Sequence, residues 1–274
     1  MSIRSLIAGV LLGTTTSAGA PPEVEGAYEK GEMEIPAAAG GGTIPYRLHR
    51  AGNASPDEPR PLVVFLHGAG ERGDDNQSQL RHFPDRWILE SHLGRRHPAH
   101  VLAAQCPRES SWSTVKKDAA DGWTLDTTAP ISPELQAVMQ KVLELSKDPS
   151  VDATRLYLTG LSMGGFGSWE LLKHHPETFA AAVPICGGGD PDAAGVIAEG
   201  GTPIWNVHGD ADRVIVVERS RDMVEAIRGR GGRLGHTELP GVGHNSWGWA
   251  YGPGGVIDWM FAQRRPAAPL PEGS

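Results

Sequence analysis

The sequence predicts an α/β fold, a mainly parallel sheet with helices on both faces. Two observations carry this. Short, continuous apolar runs recur at residues 62–66, 101–104, 156–159, 180–185 and 203–207, as in strands buried on both faces of a parallel sheet. Segments of helical periodicity lie between them, and that alternation is the signature of strand–helix–strand units. A chain of 274 residues can bury roughly three quarters of its unfolded surface, enough for a core without metals or disulfides. We expect one folded domain over 21–263, preceded by a leader and followed by a Pro-rich, disordered tail over 264–274.

The elements follow in order. Met1–Ala20 places Arg4 before an apolar run and then small residues, the layout of an export signal, so the expected location is secreted or periplasmic. A frayed, unexported N-terminus is the alternative. Residues 28–35 and 43–50 read as strands of a peripheral hairpin within 21–60, separated by Gly40, Gly41 and Gly42. The clearest helix is 132–147, with Ser132 as N-cap and Pro133 in its first turn. Leu135, Val138, Met139, Val142 and Leu143 lie along one face. A second helix, 219–230, is closed by Gly231 and Gly232. The last strand is 235–239, and 256–261 begins the last helix. Residues 107–130 read as a long polar loop on the edge of the sheet where function collects.

Charge and cysteine content exclude whole classes. With 25 Lys and Arg against 33 Asp and Glu, the net charge is −8, which disfavours nucleic acid or an anionic membrane as partner. Cys106 and Cys186 follow strands three spacings apart, roughly 14 Å, too far for a disulfide. Two free, buried thiols are expected.

Chemistry enters at Gly160-Leu161-Ser162-Met163-Gly164. A strand precedes it and a helix-forming segment, 166–175, follows, so the chain turns sharply and presents Ser162. A serine hydroxyl needs a neutral imidazole to accept its proton. Of the eleven His, His244 lies among Gly residues directly after the last strand and is the candidate base. His174 and His175 end a helix, and His92, His97 and His100 surround a loop. The carboxylate that orients the base comes from His208-Gly209-Asp210-Ala211-Asp212, after strand 203–207. Both acids emerge at the working edge; Asp212 is preferred, with Asp210 bonding backbone within the loop.

With these residues in view, the chain resembles the α/β-hydrolase superfamily, in which Ser, Asp and His follow in this order. More narrowly, it is similar to secreted bacterial esterases of the prolyl-oligopeptidase-like "predicted peptidase" group. Feruloyl esterases, acetylxylan esterases and polyester depolymerases resemble it more loosely. The motifs are Phe65-Leu66-His67-Gly68-Ala69-Gly70-Glu71-Arg72-Gly73, Thr159-Gly160-Leu161-Ser162-Met163-Gly164-Gly165, Pro184-Ile185-Cys186-Gly187-Gly188, His208-Gly209-Asp210-Ala211-Asp212 and Gly243-His244-Asn245-Ser246-Trp247. The resemblance implies an α/β-hydrolase fold and an oxyanion hole made by the backbone N–H groups of Met163 and Ala69. Glu71 and Arg72 are expected to pair and hold the loop.

Trp112, Trp123 and Trp247 are candidates for a substrate wall that stacks an aromatic or sugar ring, or equally for packing loops onto the body. Phe166 and Trp169 are assigned to the core. The expected activity is a serine carboxylesterase on short-chain or aromatic esters, small or polysaccharide-linked, with no metal or cofactor. A serine peptidase on small peptides and a noncatalytic carbohydrate-binding protein are the alternatives.

Overall fold

The computed structural model describes residues 20–118 and 122–266, apart from the side chains of 116–118, 122 and 123. The leader expected before Ala20, the end of the tail after Pro266 and the side chain of Trp123 therefore lie outside the described residues.

Eight strands form one sheet: β1 (Glu29–Glu34), β2 (Thr43–His49), β3 (Arg60–Leu66), β4 (His100–Ala104), β7 (Val151–Leu161), β8 (Ala181–Ile185), β9 (Ile204–Gly209) and β10 (Leu234–Leu239). Their order is β1-β2-β4-β3-β7-β8-β9-β10, and β5 (Val115–Asp118) and β6 (Gly122–Leu125) make a separate two-stranded ribbon. Every pairing from β4 to β10 is parallel, whereas β1–β2 and β2–β4 are antiparallel.

Alternation along the strands divides the core in two. Leu62, Val64 and Leu66 face one side with Leu102, Leu156 and Leu158. Helices α3 (Pro133–Leu145), α4 (Met163–His174), α5 (Ala194–Glu199) and α6 (Glu218–Gly229) supply apolar residues to that layer. Val63, Phe65, Val101, Ala103 and Tyr157 face the other side. There they meet α1 (Pro22–Gly26), α2 (Pro84–Leu89), α7 (Trp247–Ala250) and α8 (Ile257–Phe261). Ser132 caps α3 as expected, its Oγ accepting the Leu135 N–H at 3.2 Å, and Gly231 follows α6 at φ 78°.

The hairpin at 28–50 is peripheral as expected, with β1 outermost in the sheet; β2 pairs with β4, and Met33, Ile44 and Leu48 join the main core. One expectation is corrected. The stretch 107–130 is not all loop. Its β5–β6 ribbon carries Leu125, which packs with Val115 on Phe166 and Ile215. Cys106 and Cys186 are free and buried, and three spacings of the observed order separate β4 from β8.

The tightest point lies between α4 and β3. A Cβ on Gly164 would strike the Leu66 and His67 carbonyls, which belong to backbone and cannot yield. Overpacking normally costs about 1–3 kcal/mol. We expect Gly164→Ala to lose about 3 kcal/mol or more and its melting temperature to fall by about 6–12 °C, read by thermal denaturation; an unchanged melting point would refute the packing described.

Candidate active site

Ser162 stands between the end of β7 and the first turn of α4 at φ 55°, ψ −116°. A side chain at positive φ is strained, and a strand-to-helix elbow of this kind exposes its hydroxyl. Its N–H is tied to the Ile185 carbonyl at 2.9 Å. Gly209, at the end of β9, lets the loop carrying His244 close down, since a Cβ there would strike the Val242 and Gly243 carbonyls.

His244 reaches across that loop. Its Nε2 is 2.9 Å from Ser162 Oγ and its Nδ1 is 2.7 Å from Asp212 Oδ2. An ionised carboxylate only accepts, so Nδ1 carries the hydrogen and Nε2 is free to take the Ser162 O–H. Asp212 is buried. Burial alone would raise its carboxyl, but hydrogen bonds from His208, His244 and the Val214 N–H outweigh that and hold it far below the usual carboxylate range. It therefore stays charged wherever the imidazole can be neutral. Asp210 accepts the Gly241 N–H at 2.6 Å. That backbone bond crosses to the His244 loop rather than staying within its own, because Gly241 faces it across the turn.

Ala69 and Met163 each open a helical turn, Ala69–Glu71 and α4, so their N–H groups have no acceptor within the turn. Both residues line a cavity of about 590 Å³ together with Ser162. Phe166, Ile215, Val115, Ile131 and Val214 form its apolar wall, and Ser110, Glu109, Glu134 and Arg72 its polar side. Phe166 thus belongs to the cavity as well as to the core, a role hidden until the β5–β6 ribbon folds over it.

The tryptophans divide. Trp112 is fully buried and is not a ring-stacking wall. Its Nε1–H donates to the His67 carbonyl at 3.0 Å, and its ring meets the His67 imidazole edge-on at 5.1 Å. It pins the loop after β4 beneath the site. Trp247 flanks the base, edge-on to His244 at 5.5 Å and to His82 at 5.4 Å, and does not line the cavity. The backbone of Trp123 runs in β6.

Glu71 and Arg72 do not pair. Glu71 Oε1 sits 3.3 Å from His82 Nε2, whereas Arg72 donates to the Ala69 and Ser110 carbonyls at 3.0 and 3.1 Å. Adjacent residues in so tight a turn point apart. His92, His97 and His100 go separately to Tyr251, Asp258 and Ser150. Two further residues enter the site: His208, the first residue of the His208–Asp212 motif, is hydrogen-bonded to Asp212, and Ser220 is hydrogen-bonded to His208.

The sequence profile of the dienelactone hydrolase family matches residues 109–246. A crystal structure of a thermostable esterase is similar at 38% identity and TM-score 0.76, over 88% of this chain and 64% of that one. The bifunctional acetylxylan esterase/xylanase of Neocallimastix patriciarum is 34% identical over 35% of this chain and 14% of its own length. Poly(3-hydroxyalkanoate) depolymerase C of Paucimonas lemoignei is 31% identical over 47% of this chain and 28% of its own. The chain spans less than half the length of the curated relatives it matches. The shared architecture is the α/β-hydrolase fold.

His67 is buried beside the Ala69–Glu71 turn. His67 Nδ1–H donates to the Gly68 carbonyl at 2.6 Å and Nε2 accepts the Cys106 N–H at 2.9 Å. Burial, opposed only in part by the Gly68 carbonyl, pushes its imidazole down to about 4. The unfolded chain therefore binds more protons below the ordinary value of about 6.5, and stability is lost as pH falls from there to about 4. The His67 share is about 3 kcal/mol. We expect His67→Gln, which keeps an acceptor for Cys106 but takes up no proton, to flatten that part of a stability-against-pH curve; an identical slope in both proteins would rule His67 out.

Proposed function

This chain belongs to the dienelactone hydrolase family, and we propose that it is a serine carboxylesterase. The observation that carries the reading is the continuous line Ser162 Oγ, His244 Nε2 and Nδ1, Asp212 Oδ2, joined at 2.9 and 2.7 Å. His244 takes the Ser162 proton as Oγ attacks the ester carbonyl, and Asp212 stabilises the imidazolium that results. The Ala69 and Met163 N–H groups face the developing oxyanion; each such donor is typically worth about 10²–10³ in rate. His244 then returns the proton to the departing alcohol. A water molecule, activated by the same imidazole, releases the acid from the acyl-enzyme.

For the substrate we propose short-chain or aromatic esters, free or attached to polysaccharide. The largely apolar wall and the volume of about 590 Å³ support a ring-sized group beside Ser162. Relatives named as esterase, acetylxylan esterase and polyester depolymerase support the ester bond as target. An exported location is part of the proposal and rests on the residue order of Met1–Ala20.

The test is hydrolysis of p-nitrophenyl acetate and butyrate beside Ser162→Ala. Turnover should fall by at least about three orders of magnitude in the variant; equal rates would mean that another group is the nucleophile. Because the base must be neutral to take the Ser162 proton, activity should decline on acidification, and a profile with no acid limb would exclude a histidine base.

A further inference from the structure

We propose that His208 is a positioning residue for the reaction, its far ring nitrogen held by Ser220, and that it aims the Asp212 carboxylate at His244. The inference rests on the reading of Ser162, His244 and Asp212 as the working triad.

Asp212 is held on both oxygens. Oδ1 accepts the Val214 and Ile215 N–H groups at 2.8 and 3.1 Å. Oδ2 is shared by two imidazoles, His244 Nδ1 at 2.7 Å and His208 Nε2 at 3.2 Å. His208 Nε2 also lies 2.9 Å from the Ile215 carbonyl. A carboxylate and a carbonyl only accept, so Nε2 must carry a hydrogen. On the far side of the ring, Nδ1 is 2.7 Å from Ser220 Oγ, a hydroxyl able to donate to it. Both residues are fully buried, and Ser220 Oγ is 3.3 Å from the Gly187 carbonyl. The two acceptors at Nε2 fix the tautomer that presents N–H to Asp212, and the Ser220 hydroxyl, whose one hydrogen the Gly187 carbonyl also competes for, meets Nδ1 over the shorter distance. The opposite tautomer would set a lone pair against a carboxylate.

The terminal torsion of an aspartate is broad and roughly two-fold. His208 closes the one side of the carboxylate that the 214–215 backbone leaves open. It also clips the turn from Asp212 to Ile215, so it fixes the carboxylate relative to β9, on which His208 itself sits. Ile215 keeps a second hold through its N–H and its packing on Phe166, so loss of His208 should act on turnover more than on substrate binding.

Three variants decide it. His208→Leu keeps apolar bulk without N–H, His208→Gln keeps a donor near the position of Nε2, and Ser220→Ala removes the partner of Nδ1 that holds the ring. Each is read by the rate of Ser162 labelling with a fluorophosphonate, by kcat and KM on p-nitrophenyl butyrate, and by the deshielded proton resonance of the His244–Asp212 hydrogen bond. Losing one hydrogen bond to a charged group predicts labelling and kcat about 10–100-fold slower in His208→Leu, with KM within about threefold. His208→Gln should recover most of that rate and keep the resonance, which His208→Leu should shift or lose. Leu and Gln variants equal in rate, or a resonance unmoved in His208→Leu, would overturn the proposal. Should His208→Leu fail to fold, Ser220→Ala decides: a several-fold slowing with an intact melt supports the relay, and the parent rate overturns it. If the parent protein is not labelled at all, the esterase reading fails; the proton resonance, which needs no substrate, still judges His208.

Discussion

Helix α4 meets strand β3 backbone to backbone at Gly164, and the chemistry depends on that contact. With no Cβ between them, the first turn of α4 closes on the Leu66 and His67 carbonyls. The Met163 and Ala69 N–H groups are thereby brought to one cavity. Ser162, one residue before that turn, sits at positive φ, so the nucleophile and oxyanion donors proposed above lie on one piece of closely packed backbone. For the proposed reaction such a site is pre-organised, since donors fixed before substrate arrives cost no rearrangement during reaction.

Around that contact the buried polar groups form a continuous support. His67 ties the start of the Ala69–Glu71 turn to the backbone of Cys106, and Trp112 ties the loop after β4 to the His67 carbonyl. Ser132 joins in by donating to the Trp112 carbonyl while capping α3. On the other side, His208 and Ser220 brace Asp212. Each buried donor in these chains has a partner, as it must in a low dielectric, where an unmet polar group is costly. Imidazoles serve both networks because one ring can donate and accept at once.

How far the residues themselves disclosed this depends on the range of the interaction. The strands at 62–66, 101–104 and 180–185 were legible because burial on both faces demands uninterrupted apolar runs. The elbow was legible because Gly, Ser and Gly are needed within five residues of chain. Trp112 was not, since an indole in a polar loop looks the same whether it faces a ligand or a buried carbonyl. The same holds for Phe166, which meets the cavity only because the β5–β6 ribbon, distant in sequence, lies across it.

The sequence alone therefore determined the alternating architecture, the identity and chain order of Ser162, Asp212 and His244, and the separation of the two thiols. All of these follow from local pattern or from the order of strands. Tertiary structure alone decided which Trp is core, that Asp210 holds the Gly241 backbone across the turn, and that His208 stands behind Asp212. Those are contacts between side chains brought together only when β9, β10 and their loops pack side by side, and hydrogen-bond partners are chosen by angstroms of approach that no spacing along the chain encodes.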